Sequence, residues 1–193
     1  VTFLNDLRSR VWEDSASMLQ RLGADDATYR GMASLINMAT GRGGVGGLRY
    51  MTPLLNTIFF SPRLVLSRLQ LPLMLLPKIN PNPIVRKEAW KMFLSFMGVG
   101  TSIVSGLKLA GFGVGLNPLN ASEFGKVRIG NTRLDFWAGF VQYARFFTQL
   151  ASAKRQLQSG KITEANRRQL LMKMAQTKFA PMMGFLWDLL EGE

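Results

Sequence analysis

Apolar residues recur at intervals of three and four along most of the chain, which is the spacing of amphipathic helices. Residues 3–22 show this spacing first, and Gly23 ends the segment. Asp26 then caps a second helix over residues 27–39. Further segments with helical character lie over 50–59, from Pro62, over 83–110, over 137–157, from Thr163 and from Pro181. The pattern therefore predicts a mainly α protein, a bundle of about seven helices.

Prolines mark the expected boundaries of two of these helices. Ser61-Pro62 and Asn82-Pro83 each combine a capping side chain with proline at the first helical position. Pro72 lacks a backbone N–H, so the helix that begins at Pro62 is expected to kink or end there.

A small β-hairpin is predicted near residues 126–135. Polar and apolar residues alternate over 126–129 and over 132–135, and Gly130-Asn131 between them suits a two-residue turn. A lone hairpin is marginally stable, so it is expected to lie against the helices. The apolar members would face inward and the arginines outward, namely Val127, Ile129 and Leu134 against Arg128 and Arg133.

The longest predicted helix, over 83–110, contains sixteen successive residues without a charge, 92–107. This length lies between the 10–14 residues typical of a buried core helix and the roughly 20 needed to cross a membrane. A buried central helix is the favoured interpretation, with membrane insertion as the alternative. Gly98, Ser102 and Gly106 lie four residues apart, and this stripe would let another helix approach closely in either setting.

Five glycines fall within residues 41–47, and Gly41, Gly43 and Gly46 match the spacing G-x-G-x-x-G. A dinucleotide-binding loop of this spacing follows a strand, whereas the preceding residues are predicted to be helical. The segment also lacks the GK[ST] of a Walker A loop. A hinge or a close-packing loop is therefore favoured, and Arg42 and Arg49 are the residues that would contact a phosphate.

Aromatic residues are concentrated in the predicted helix over 137–157. Two interpretations are open: packing in the core, which helical spacing favours, and stacking of nucleic-acid bases between neighbouring cations. The aromatic residues are Trp137, Phe140, Tyr143, Phe146 and Phe147, and the cations are Arg145, Lys154 and Arg155.

The chain has no His and no Cys, which excludes thiolate nucleophiles, histidine acid–base catalysis, zinc fingers, iron–sulfur clusters and disulfides. The twelve carboxylates are scattered. Glu123 and Asp135, which flank the hairpin, are expected to form salt bridges with Lys126, Arg128 or Arg133 rather than an acid–base pair. The sequence therefore predicts a non-enzymatic protein without catalytic, metal-binding or cofactor-binding residues, without a cofactor and without a small-molecule substrate.

The chain carries 24 Lys and Arg against 12 Asp and Glu, a net charge of +12. No acid lies between Asp26 and Glu88. This surplus favours a polyanionic partner, such as nucleic acid, an anionic membrane or an acidic protein, over a solvated basic surface without a partner. The cations expected to make these contacts are Arg42, Arg49, Arg63, Arg68, Arg86 and Lys87.

Neither an internal repeat nor a low-complexity linker divides the sequence, so we expect a single helical domain over residues 1–193, with a hinge at 41–47. The chain begins with Val1 and shows no signal-peptide pattern, which indicates a processed piece or a segment of a longer chain.

Five stretches together resemble a module of the large polyvalent proteins of tailed bacteriophages, which are long multidomain chains carried in the virion and delivered with the DNA. The stretches are NMATGRGGVG (37–46), LNTIFFSPRLVLSRLQL (55–71), VRKEAWKMFLSFMGVGTSI (85–103), FGKVRIGNTRLDFWAGFVQYARFFTQL (124–150) and TKFAPMMGFLWDLLEGE (177–193). The resemblance covers nearly the whole chain in consistent order and transfers no catalytic motif.

The resemblance implies a virion protein of the capsid interior, portal or tail that reaches the host envelope or cytoplasm after ejection. Its implied partners are other virion proteins and further copies of itself, with DNA and the host membrane as additional candidates. The alternatives are a basic DNA-binding or host-defence-blocking module and a scaffold domain of a packaged polymerase.

Overall fold

The computed structural model describes residues 3–117, 119, 123–156, 161–178 and 189, with the backbone alone for 47–49, 155 and 156. The described part is mainly helical, as predicted. A 3-10 helix, Gly46–Met51, lies between the second and third α-helices. The α-helices are α1 (Phe3–Arg21), α2 (Asp26–Ala39), α3 (Thr52–Ile58), α4 (Pro62–Leu73), α5 (Pro83–Leu109), α6 (Phe140–Ser152) and α7 (Arg167–Gln176).

Two small antiparallel sheets accompany the helices. The first has the order β1-β2-β3, and the second pairs β4 with β5. The strands are β1 (Gly113–Val114), β2 (Val127–Ile129), β3 (Thr132–Leu134), β4 (Lys154–Gln156) and β5 (Ile162–Glu164). The predicted hairpin corresponds to β2 and β3, whereas β1, β4 and β5 were not predicted.

The predicted inward face of the hairpin is only partly correct. Val127 is completely buried, but Ile129 and Leu134 are exposed, as are both arginines. In the observed register Arg128 pairs with Arg133, and Val127 pairs with Leu134. One apolar side chain therefore anchors the hairpin, rather than the predicted three.

Helix α6 is shorter than predicted, because it ends at Ser152 and not near residue 157. Ala153 has a left-handed backbone, φ 52°, and the chain then turns into β4. The cap of α7 is also different: Asn166, not Thr163, accepts a hydrogen bond from the backbone N–H of Arg168. The sequence also predicts a loop at Asn117-Pro118 and Asn120 and a break in the chain at Ser159-Gly160. Pro118, Asn120, Ser159-Gly160 and the helix predicted from Pro181 lie outside the described residues.

The chain divides into two compact units, and the boundary falls within α5, between Leu94 and Ser95. The first unit contains α1 to α4 and the start of α5, and the second runs over Ser95–Lys178. The boundary does not coincide with the glycine segment 41–47. The single domain and its hinge stay predictions.

The core of the first unit lies where α1, α2 and the first turns of α5 meet. Its buried members are Leu19, Met32, Leu35, Ile36, Val85 and Ala89. Helices α2 and α5 approach closely at Gly31, because a Cβ there would stand 3.1 Å from a methyl carbon of Val85. The lack of a side chain at Gly31 therefore lets Val85 reach the surface of α2.

Helices α2 and α5 are capped by side chains that bond to each other through Thr28. Asp25, rather than the predicted Asp26, caps α2 by accepting hydrogen bonds from the backbone N–H and the hydroxyl of Thr28, at 2.9 and 2.5 Å. Asn82 caps α5 as predicted and donates its amide to the Thr28 hydroxyl oxygen at 2.6 Å. The two bonds from Thr28 lower the pKa of the Asp25 carboxyl.

The predicted cap at Ser61 is wrong. Ser61 has a left-handed backbone, φ 52°, and its side chain makes no capping hydrogen bond to α4. Pro62 does occupy the first turn, and Pro72 lies one residue before the end of the helix, as the sequence indicated.

Candidate functional site

The most apolar stretch of the described chain is largely exposed. Helix α5 is long and apolar enough to cross a membrane, judged by length and composition, yet only 11% of its most apolar 18-residue window is buried. Leu94 is 60% exposed, Val99 61% and Leu109 89%. The interpretation of 92–107 as a buried central helix is therefore wrong for the chain on its own.

One side of this stretch does pack, and it is the side that carries Phe96, Gly100 and Val104. The Phe96 ring lies 6.1 Å from the ring of Trp137 and 5.4 Å from that of Phe140, centre to centre. A Cβ at Gly100 would stand 2.7 Å from the Trp137 ring. Gly100 is therefore the glycine that lets Trp137 pack against the helix backbone.

The predicted stripe of small residues lies on the opposite side of α5. Residues 98 and 100 are separated by about 200° around an α-helix. A Cβ at Gly98 or at Gly106 would meet nothing within 4 Å, and Ser102 is exposed. No described part of this chain packs on the stripe, so its role against another helix or a membrane stays a prediction.

Most of the aromatic residues around α6 pack in the core, which is the interpretation that their helical spacing favoured. Trp137 also donates its indole N–H to the backbone oxygen of Gly125 at 2.9 Å, and Tyr143 is buried. Phe147, by contrast, is 52% exposed beside Phe146. The structure thus leaves one aromatic ring of this helix largely in solvent.

Helix α6 also contacts Lys178, the second residue after the end of α7. The Lys178 ammonium donates to the side-chain oxygen of Gln142 at 2.6 Å and lies 5.3 Å from the centre of the Tyr143 ring. Burial lowers the pKa of Lys178, and the positive charge of Arg145 lowers it further. This contact links residues 36 positions apart, and the sequence did not predict it.

The glycine segment is held against α4. Gly43 donates its backbone N–H to the backbone oxygen of Arg63 at 3.0 Å, and a Cβ at Gly43 would stand 2.4 Å from the backbone nitrogen of Ser67. The side chain of Gln70 bonds to both the N–H and the oxygen of Gly44, at 3.0 and 2.8 Å. Gly43 therefore serves close packing, which was one of the two interpretations left open.

Two of the six predicted polyanion-contacting cations come together beside this segment. Arg42 and Arg63 line an open cavity of about 330 Å³ together with Asn37 and the backbone of residues 43–46. The other cations are elsewhere: Arg86 donates to the backbone oxygens of Asn80 and Pro81, and Lys87 is exposed on α5. Arg68 does not line this cavity, and the side chain of Arg49 lies outside the described residues.

A further cation, Arg8, joins the cluster and was not predicted. Arg8 and Arg42 both donate to the side-chain oxygen of Asn5, at 2.8 and 3.1 Å. Arg8 also bonds to the hydroxyl and the backbone oxygen of Thr40. Burial lowers the pKa of Arg8, and the charge of Arg42 lowers it further, so two cations are held side by side through a neutral amide.

The carboxylates near the hairpin are bonded to separate groups. Glu123 lies 3.3 Å from the guanidinium of Arg133, which is one of the salt bridges expected. Asp135 accepts a hydrogen bond from the backbone N–H of Trp137 at 2.8 Å. Among the residues that the structure describes, no three acidic side chains come together.

Comparisons of this chain with protein-family models, with curated proteins and with solved structures found no match.

Proposed function

We propose that this chain is a non-enzymatic virion-associated protein of a tailed bacteriophage, or a module of one. It would assemble with itself or with other virion proteins, enter the host with the DNA and contact the host envelope. The observation that carries the proposal is the exposed apolar surface of α5.

A long apolar helix that is this exposed is uncommon on a soluble monomer and typical of a surface that meets a protein or a membrane. The most exposed side chains of the surface are Leu94, Val99 and Leu109. Cations flank the apolar stretch: Lys108 lies at its end, and Lys91, which forms a salt bridge with Glu88 at 2.6 Å, lies before it. Such flanking cations favour anionic headgroups, because long basic side chains extend to the membrane interface.

A triple variant, Leu94→Gln, Val99→Gln and Leu109→Gln, tests the proposal. The matched control replaces three similarly exposed leucines of the first unit, Leu4, Leu22 and Leu54, by glutamine. Light scattering after size exclusion reports self-assembly, and flotation with vesicles of phosphatidylcholine and phosphatidylglycerol reports membrane contact. We expect the α5 variant to lose assembly or flotation by about tenfold while the control retains both.

A wild-type chain that stays monomeric and does not float would contradict the assembly and envelope parts of the proposal. The virion part is tested separately by mass spectrometry of purified, nuclease-treated particles. Peptides of this chain at a fixed copy number would support it. Their absence from particles, with the chain present in infected cells, would overturn it.

The second candidate function is a DNA-binding module, and the observation that favours it is the charge of the chain. The second unit alone contains twelve basic and three acidic residues. Binding of this origin should weaken steeply with salt, because it depends on the release of counterions from phosphates.

A further inference from the structure

We propose that Arg8, Arg42 and Arg63 form a binding site for a phosphate group of a single-stranded nucleic acid. This inference rests on the second candidate function and gives it a location. It uses only residues of the first unit and is independent of the apolar surface of α5.

The first argument is the pairing of like charges across a neutral acceptor. The guanidinium groups of Arg8 and Arg42 are both within 3.1 Å of the Asn5 side-chain oxygen. Two cations held this close repel each other, and an anion between or beside them would offset that repulsion. A carboxylate at position 5 would supply such an anion, but this position holds the neutral amide of Asn5. The missing negative charge can therefore be supplied by a ligand.

The second argument is the absence of internal competition. Among the described residues, neither Arg8, Arg42 nor Arg63 is within salt-bridge distance of a carboxylate. The sequence from 27 to 87, which supplies α2 after its first residue, the glycine segment and α4, contains no acidic residue. An anion that enters the cavity thus meets cations that are not already neutralised.

The third argument is the rigidity and openness of the cavity. Gly43 and Gly44 are fixed to α4 by the three hydrogen bonds given above, and Thr40 fixes the Arg8 side chain. Because these groups are already ordered, binding of a ligand loses less conformational entropy. A Cβ at Gly44 would meet nothing within 4 Å, so the cavity is open on this side of the segment. The volume of about 330 Å³ accommodates a phosphate with its adjoining sugar.

The fourth argument concerns the base and favours a nucleic acid over a free phosphate or a lipid headgroup. A second cavity of about 210 Å³ adjoins the first, since Asn37 lines both, and Trp12 and Arg8 form part of its wall. Aromatic and guanidinium planes are the groups on which unpaired bases stack. We expect a strand with its phosphate at Arg42 and Arg63 to place its next base in this second cavity, against the part of Trp12 that is not packed on the core.

The decisive variant is Asn5→Asp, which places a carboxylate where the two arginines now share an amide oxygen. It should neutralise the site and weaken binding of a fluorescent oligothymidylate about tenfold in anisotropy titrations. The same change should raise the Tm, because it pairs both cations and adds an acid to the first turn of α1. A purely structural role for Asn5 would not give these opposite effects.

Arg42→Gln and Arg63→Gln should each weaken oligothymidylate binding about tenfold and lower the slope of log K against log[salt] by about one. The matched control is Lys78→Gln, which removes one exposed cation of the same unit outside the cavity. It should weaken binding less than about twofold. An abasic oligonucleotide of equal length should bind several-fold more weakly than oligothymidylate, because it lacks bases to stack.

The failures of the site and of the function are distinguishable. If the wild-type chain binds neither duplex DNA nor oligothymidylate at low salt, the DNA-binding function itself is wrong. If it binds duplex DNA but not oligothymidylate, the assignment to a single strand is wrong. If it binds, but Asn5→Asp and Arg42→Gln act no more strongly than Lys78→Gln, only the site is wrong. Equal binding of the abasic strand, or a loss confined to phosphatidylglycerol vesicles, would overturn the assignment to a nucleic acid.

Discussion

The half of α5 that contains fewer charges is the half whose apolar side chains are more exposed. Residues 83–94 carry four of the five charges of the helix, yet Val85 and Ala89 are completely or almost completely buried there. Residues 95–109 carry only Lys108, yet most of their apolar side chains are exposed. Burial thus follows the presence of a complementary apolar face, which α1 and α2 provide to the first half. The mean hydropathy of a segment does not by itself decide which part becomes core.

The largest expected contrast is between two leucines. Leu35→Ala, in the core that receives the first half of α5, should lower the free energy of unfolding by about 2–5 kcal/mol. Leu94→Ala, at an exposed site, should change it by less than about 0.5 kcal/mol. Urea denaturation followed by circular dichroism measures both. Equal losses would show that Leu94 is buried in solution and would remove the contrast.

The same contrast should appear within α5 itself. Val85→Ala removes two fully buried methyl groups and should cost about 2 kcal/mol, whereas Val99→Ala should be close to neutral. Both changes are identical in chemistry and in helix propensity, so the difference reports burial alone. A substantial cost at Val99 in dilute solution, measured at several protein concentrations, would instead indicate that this face is covered by another copy.

Two glycines of α5 should respond to alanine with opposite signs. Gly98→Ala should stabilise the fold by about 0.5–1 kcal/mol, because a Cβ there meets open space and alanine favours the helix. Gly100→Ala should cost about 1–2 kcal/mol, since its Cβ would overlap the Trp137 ring. Thermal unfolding of the two variants is the measurement. Stabilisation by both would place Trp137 away from Gly100.

Gly98→Ala also tests the predicted stripe. If Gly98, Ser102 and Gly106 receive another helix, the variant should assemble less well while its monomer is more stable. Unchanged assembly would show that the stripe is not a packing surface.

The smallest expected effect is a dependence on pH at the cap of α2. The pKa of Asp25 is lower in the folded chain, so the folded state favours the ionised carboxylate. Its stabilisation is therefore present above the unfolded pKa of Asp, near 3.9, and is lost as the pH falls through the lowered folded value. Asp25→Asn should lower the Tm slightly at neutral pH and leave it unchanged in strong acid. A difference in Tm that is independent of pH would contradict this assignment.

The sequence predicted correctly those features of the fold that depend on residues within a single short segment. The end of α1 just before Gly23, the Asn82 cap of α5 and the hairpin turn at 130–131 follow from local spacing and turn chemistry. These features need no knowledge of the rest of the chain. Asp25 and Asp26 were harder to separate, because either residue can cap a helix that begins at this point.

Features that depend on distant partners were not predictable in this way. Two rows of residues, each with a spacing of four, run along α5: one contains Gly98 and the other Gly100. Only the position of Trp137, more than thirty residues later, decides that Gly100 is the glycine that is packed. The arginine cluster likewise joins Asn5 to Arg42 across 37 residues. Arg8 looks like any exposed helical cation in the sequence, and no local signal distinguishes it from Arg10.

The hydroxyl of Thr28 joins two helix caps that are 54 residues apart in the sequence. Opening of the first turn of α2 would remove a hydrogen-bond partner of Asn82, and opening of the first turn of α5 would remove a partner of Thr28. The two turns should therefore exchange their amide hydrogens with solvent as one cooperative unit. Thr28→Val would separate them, so that the amides at 28 and 85 would exchange at independent rates.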